Sequence, residues 1–174
     1  MLTRSQIERT ARVITAQWQN IHNTAAVRWK NPEATKTWVD ACMTFHRATL
    51  PTDYLWLDET RTRIKNGDRE AIEDALLFLE VDPWYFRSGY LKERLIRSLK
   101  QAPLTEQDKE RIRQIVISVA RGKNRREFRN FCSLASKVSN QEFEQFIEQE
   151  AKEHDRESCG KFSYLLRYIR KNGR

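Results

Sequence analysis

Residues 82–100 read DPWYFRSGYLKERLIRSLK, and the parsing of this stretch decides how the rest of the chain is arranged. Asp82 suits a helix N-cap, because its carboxylate accepts from backbone N–H groups left unpaired in a first turn. Pro83 suits the first helical position, where a missing N–H costs nothing. Trp84, Leu91, Leu95 and Leu99 follow at intervals of seven, four and four, on one face of a helix. Arg87, Tyr90, Arg94 and Arg97 fall together on another face. The stretch predicts a helix with one side for burial and one cationic side.

The segments on either side repeat that design. Asp68 opens a helix using Ala71, Ile72, Ala75, Leu76 and Leu79, and Gly67 suits the left-handed residue that ends the helix before it. That preceding helix, about 53–66, carries Tyr54, Leu57 and Ile64. On the other side Pro103 breaks the chain, and Thr105 with Asp108 resembles a capping box. The helix it opens buries Ile112, Ile115, Val116 and Val119 and closes at Gly122. A helix over 124–138 buries Phe128, Phe131, Cys132 and Ala135. Asn140 then opens one with Phe143, Phe146 and Ile147, and Asp155 opens the last, with Cys159, Phe162, Leu166 and Ile169. At the N-terminal end, Ile7, Ala11, Ile14, Trp18, Ile21 and Ala25 alternate by fours and threes. Asn31-Pro32-Glu33 opens a second helix with Trp38, Cys42 and Phe45, and Pro51 ends it. Nothing alternates with period two over a useful length, so the fold is all-α.

From Asp68 onward, helices start near 69, 84, 106, 124, 141 and 156. Taken in pairs, the first members start 37 and then 35 residues apart and the second members 40 and then 32, close to the spacing of α-solenoids. In this the chain resembles HEAT-like helical repeats over 53–171, a resemblance of architecture that implies antiparallel helix pairs in superhelical stacking. Residues 1–50 form a helical pair preceding it, and 1–174 together form a single all-α domain.

Composition agrees with a folded, water-exposed chain: 32% of the 174 residues are charged and 39% hydrophobic. No apolar run approaches the ~20 residues that span a bilayer. The start, MLTRSQIERTARVI, lacks the apolar stretch of a secretory signal. A cytoplasmic location is the expectation, with no membrane partner. Cys42, Cys132 and Cys159 are odd in number and far apart, each on an apolar stripe, so free packed thiols are expected rather than disulfides or a metal site.

The net charge of +8 is uneven. Residues 1–86 hold 11 Lys and Arg against 12 Asp and Glu; residues 87–174 hold 21 against 12. Three alternate helices carry the excess. The first presents Arg87, Tyr90, Arg94 and Arg97; the second Arg125, Arg126, Arg129 and Lys137; the last Arg167, Arg170, Lys171 and Arg174. The intervening 141–153 helix is acidic. Helices that alternate between two layers place the three cationic faces on one surface, which suits a phosphate backbone. Tyr90 supplies a ring for an exposed base. Charged helix faces commonly do no more than meet water, and an acidic protein fits the same surface.

Signals for chemistry are poor. Cys42 and His46 share a helix face, as a thiol–imidazole dyad requires, but Cys42 also lies on the Trp38–Phe45 stripe, where an inert thiol is expected. Glu150 and His154 are four apart, without the three-residue spacing of carboxylate-bridged metal bundles. No HExxH, P-loop or GxGxxG occurs, so no catalytic residue, cofactor or small-molecule substrate is assigned. Phe86, beside Trp84 and Tyr85, is expected outside the main stripe, as an interhelix contact or a protein-binding anchor. The resulting expectation is a non-catalytic binding protein for a polyanion, most simply a nucleic-acid backbone. The alternative is a protein–protein adaptor.

Overall fold

Every regular element in the computed structural model is helical, and no strand occurs among the described residues, which are 1–123, 125–153 and 156–172. For 153 and 156–159 the backbone alone is described. In chain order come α1 (Arg4–Ala25), α2 (Pro32–Arg47), a 3-10 turn (Asp53–Trp56), α3 (Asp58–Lys65) and α4 (Arg69–Val81). They are followed by α5 (Ser88–Leu99), α6 (Glu106–Arg121), α7 (Phe128–Val138), α8 (Gln141–Glu153) and α9 (Arg156–Asn172).

Capping chemistry sets most helix starts. Asn31, Asp68 and Asn140 each accept from the backbone N–H three residues on, at 2.8, 3.0 and 2.8 Å. Thr3 with Gln6 and Thr105 with Asp108 form reciprocal capping boxes. Gly67 turns left-handed at φ 86° between α3 and α4, as expected of a residue without Cβ. Asn124, the expected start of the 124–138 helix, and the expected cap Asp155 lie outside the described residues, as does the side chain of Cys159.

The stretch that decided the sequence reading is where that reading fails. Asp82 does not open a helix. It ends α4 in the left-handed region at φ 50°, its N–H donating to the Phe78 carbonyl at 3.1 Å. Pro83 disfavours right-handed helical geometry in the residue before it, so a proline after an apolar helix stops that helix as readily as it starts another. The chain crosses 83–87 as a loop, turns left-handed again at Arg87 (φ 69°), and begins α5 only at Ser88. Trp84 is consequently 75% exposed, and Tyr85 is buried in its stead. Leu91, Leu95 and Leu99 are fully buried, as their spacing demands.

Smaller departures have similar local causes. The 53–66 helix is broken at Leu57, whose extended backbone separates the 3-10 turn from α3 and leaves its side chain 52% exposed. α7 begins at Phe128 rather than 124. Phe146 is exposed beneath the Arg121 guanidinium, and α9 buries Phe162, Leu165 and Ile169 with Leu166 at the edge.

One hydrophobic cluster runs through the molecule and includes Ile72, Leu76, Leu91, Leu95, Val116 and Phe131. α4 packs on α5, α6 on α7 and α8 on α9; between these pairs α4 meets α6, α5 meets α7, and α7 meets α9. α3 lies against α4 and α5, α1 against α4, and α2 against α1. Polar ties join the layers: Arg69 grips buried Asp108 at 2.7 and 3.0 Å, and Arg111 grips Glu80 at 2.8 Å. Buried Asp74 accepts from the Leu2 N–H at 2.6 Å and the Tyr54 hydroxyl at 2.5 Å, fastening the chain start to α4. Among the described residues no helix is long and apolar enough to cross a membrane.

Candidate nucleic-acid interface

The cationic faces foreseen on α5, α7 and α9 divide into charges held within the protein and charges left to solvent. Arg94 is half-buried and donates to the Trp56 carbonyl at 2.8 Å and to Asp58 at 3.1 Å. Arg125 is drawn inward to Asp82. Arg126 donates to Glu93 at 2.9 Å, Arg97 lies 3.6 Å from the same residue, and Arg170 donates to Glu148 at 2.7 Å. These five have carboxylates from other turns or helices as neighbours, and only Arg97 and Glu93 stand at a spacing that sequence alone makes suspect. Arg87 is exposed in the loop ahead of α5, and Lys137 is exposed at the opposite end of α7 from Arg129. Arg174 lies outside the described residues.

The charges left over converge between α7 and α9. Arg129, Tyr164, Arg167, Tyr168, Lys171 and Asn172 line an open groove of about 290 Å³. Its shape follows from helical spacing: Tyr164, Arg167, Tyr168 and Lys171 are three or four residues apart on one face of α9, while Phe162, Leu165 and Ile169 face the core. Arg129 reaches the groove from the first turn of α7. Among the described residues none forms an ion pair with Arg129, Arg167 or Lys171. Tyr164 is 39% exposed, its ring centroid 6.2 Å from that of Phe128 and 6.3 Å from that of Tyr168. The two tyrosines escaped the sequence reading, although their interleaving with Arg167 and Lys171 was visible in the spacing.

A second groove, about 540 Å³, opens where α1 faces the 83–87 loop and the start of α5. Trp18, Trp84, Tyr85, Phe86 and Tyr90 supply its rings, and Arg87, Arg126 and the acidic Glu127 its charged groups. Phe86 stacks on Trp18 with centroids 3.7 Å apart and planes 14° from parallel, a contact between the 83–87 loop and α1 rather than between two helices. The Arg126 guanidinium sits 4.0 Å above the half-exposed ring of Tyr90. An adjoining space of about 600 Å³ is walled by Cys42, Phe45, His46 and Trp56.

Beneath this groove lies a buried set of charges. Lys92 is wholly buried, with Nζ 2.6 Å from Asp82 Oδ1 and 3.7 Å from Oε1 of buried Glu127. The shorter contact is an ion pair not aligned as a hydrogen bond. Arg125 meets the other oxygen of Asp82. Gly89 leaves room here: a Cβ would stand 3.3 Å from Glu127 Oε2, so that carboxylate would have to give by a few tenths of an ångström. Burial pushes the Tyr85 phenol up to about 12.

Cys42, half-buried, and Cys132, buried, are free thiols, and burial pushes Cys132 up to about 12, so it stays protonated at neutral pH. His46 lies edge-on to Phe45, with ring centroids 5.6 Å apart. No cluster of three or more metal-ligating side chains occurs among the described residues. Compared with family models, curated proteins and solved structures, the chain matches none.

Proposed function

We propose that this is a non-catalytic, cytoplasmic binding protein that takes the backbone of single-stranded nucleic acid in the α7–α9 groove. The observation that carries this reading is the trio Arg129, Arg167 and Lys171, three cations without ion-pair partners among the described residues, interleaved with two tyrosines in one groove. Cations already paired gain little from a phosphate, because a carboxylate must be displaced first. Unpaired ones release the polyanion's counterions at no such cost. The tyrosines provide stacking faces that tolerate any base. Stacking of α4–α9 as HEAT-like pairs belongs to the same reading, supported by the contacts of α5 with α7 and α7 with α9.

Polarisation titration of generic single-stranded DNA and RNA at several salt concentrations tests it. Three phosphate contacts give a log–log salt slope of about −2, at ~0.7 per contact on single strands. Arg129→Glu, Arg167→Glu and Lys171→Glu should each weaken binding and flatten that slope, whereas Arg170→Ala, whose charge is held by Glu148, should change it least. Absence of binding at low salt overturns the reading. A protein-binding adaptor then becomes the better account, favoured by Trp29, Val39 and Met43, which stand exposed at the α1–α2 end of the molecule.

A further inference from the structure

Trp84 is a large indole held three-quarters in solvent by a segment under backbone strain. A flexible loop carrying a tryptophan gains by folding the ring onto apolar surface, and apolar surface is at hand in the adjoining groove. Here the opposite arrangement is enforced. The loop is bracketed by Asp82 and Arg87, both non-glycine residues in the left-handed region, a conformation that persists only where the surroundings over-determine it. At Asp82 the surroundings are buried Lys92 and Arg125. Inside the loop, the Tyr85 N–H donates to Ser88 Oγ at 3.1 Å and the Ser88 N–H to the Tyr85 carbonyl at 3.0 Å. Tyr85 anchors the loop below, and Phe86 is clamped on Trp18. Trp84 alone of the three consecutive aromatics has no ring partner among the described residues.

We propose that this loop and the start of α5 form a platform for one unpaired nucleobase, with Trp84 as its stacking face. The inference deepens the reading above and rests on it. A nucleobase suits the site better than an aromatic peptide side chain for a reason of charge. Arg87 is exposed beside the rings with no ion-pair partner among the described residues, and the phosphates on either side of a stacked base bring the anionic group it attracts. Arg126, held by Glu93, and Glu127, which also lines the groove, add nothing to that pull. Tyr90, already covered by the Arg126 guanidinium, extends the π surface. The groove, at about 540 Å³, is in the size range of small-ligand sites.

Two measurements on the intact chain test this, and they fail separately from the backbone reading. In the first, adenosine, which is uncharged, is titrated against the tryptophan indole N–H signals, with Trp84 identified by its loss in Trp84→Ala. The Trp84 signal should shift at millimolar adenosine while Trp29, comparably exposed but lining neither this groove nor the α7–α9 groove, stays still. An unmoved Trp84, or equal shifts at both, overturns the platform. In the second, Trp84→Ala is compared with the parent on an intact oligonucleotide and on one of abasic sites. Binding to the intact strand should fall roughly 5- to 150-fold, binding to the abasic strand should not change, and the salt slope should be preserved. Equal loss on both strands, or no loss on either, also overturns it. If strands bind with the expected salt dependence but adenosine moves nothing, the groove stands and the platform falls. If adenosine moves Trp84 and no strand binds, the ring site stands as a nucleoside site and the backbone reading falls.

Discussion

α1 and α5 look alike as sequences, and the molecule treats them differently. Each carries a regular apolar stripe, yet α1 buries only Ile7 and Thr10 over 22 residues, while α5 buries seven of its 12. The difference lies in neighbours. α5 is enclosed by α3, α4 and α7; α1 meets α4 on one side and is otherwise covered by α2, which itself buries only Ala41. The second half of the α1 stripe, Ile14, Trp18 and Ile21, is therefore half-covered and forms groove wall rather than core. Periodicity says which face of a helix is apolar. Coverage of that face is set by elements distant in sequence.

The largest expected effect separates these two regions directly. Leu95→Ala in α5 removes a fully buried side chain among packed neighbours and should cost about 2–5 kcal/mol, read from the denaturant midpoint. Ile14→Ala in α1 deletes a side chain already partly in water and should cost about 1 kcal/mol, since the lost transfer term is smaller and no closed cavity is left. Equal costs at the two positions would mean that α1 is packed as tightly as α5, and the contrast would collapse.

An acid titration sharpens the comparison at the next size of effect. The cross-helix bond from Arg69, with help from the Thr105 N–H and hydroxyl, holds the Asp108 carboxyl down at about 2 against the opposing pull of burial. Because the folded value lies below the unfolded one, the stabilisation is complete above pH 4 and is lost as the pH falls through about 2. From an ordinary 3.8 this is worth about 2 kcal/mol. Asp108→Asn should remove that share of the acid sensitivity between pH 4 and 2. Within α1 the one comparable pair, Arg4 with Glu8, is exposed at 3.9 Å and contributes nothing of that size. An unchanged acid profile in the variant would show that Arg69 and Asp108 are not coupled in solution.

The same contrast explains how much the sequence disclosed. Helix identity and most boundaries were legible, because caps such as Asn31, Asp68 and Thr105 act within a turn of their own position. The 82–87 loop was not. Asp-Pro is a valid helix start and a valid helix stop, and the choice falls to Lys92 and Arg125, which pull the Asp82 carboxylate away from the backbone it was expected to cap. The candidate site fared likewise. Arg94, Arg125 and Arg170 resembled Arg129 and Arg167 on a helical wheel, but Asp58, Asp82 and Glu148 neutralise the first three from other elements. Which arginines remain free is a tertiary fact. Tyr164 and Tyr168 were legible by spacing, three residues before Arg167 and Lys171 respectively on one face of α9, but a count of charge does not register them.

The smallest expected effect lies where the α1–α2 end is most exposed. Trp29 is 80% in solvent, with the Arg28 guanidinium 4.6 Å from its ring centroid. Arg28 also reaches Trp38, at 5.2 Å, and its guanidinium donates to the Ala25 carbonyl at 2.9 Å, so it keeps partners when Trp29 is truncated. Exposed cation–π pairs are worth about 0.5–1 kcal/mol. Trp29→Ala should accordingly cost about 0.5 kcal/mol in denaturant, a small loss for so large a side chain. In native-state hydrogen exchange, the amides of α2 should open at a free energy well below that of α5 in parent and variant alike, because α2 leans on α1 and buries one residue. A loss of 2 kcal/mol or more would place Trp29 against a surface that buries it, and exchange in α2 as slow as in α5 would make the two regions one cooperative unit. Either result would move the weak part of the fold elsewhere and remove the reason for treating the α1–α2 end as the site of a protein partner.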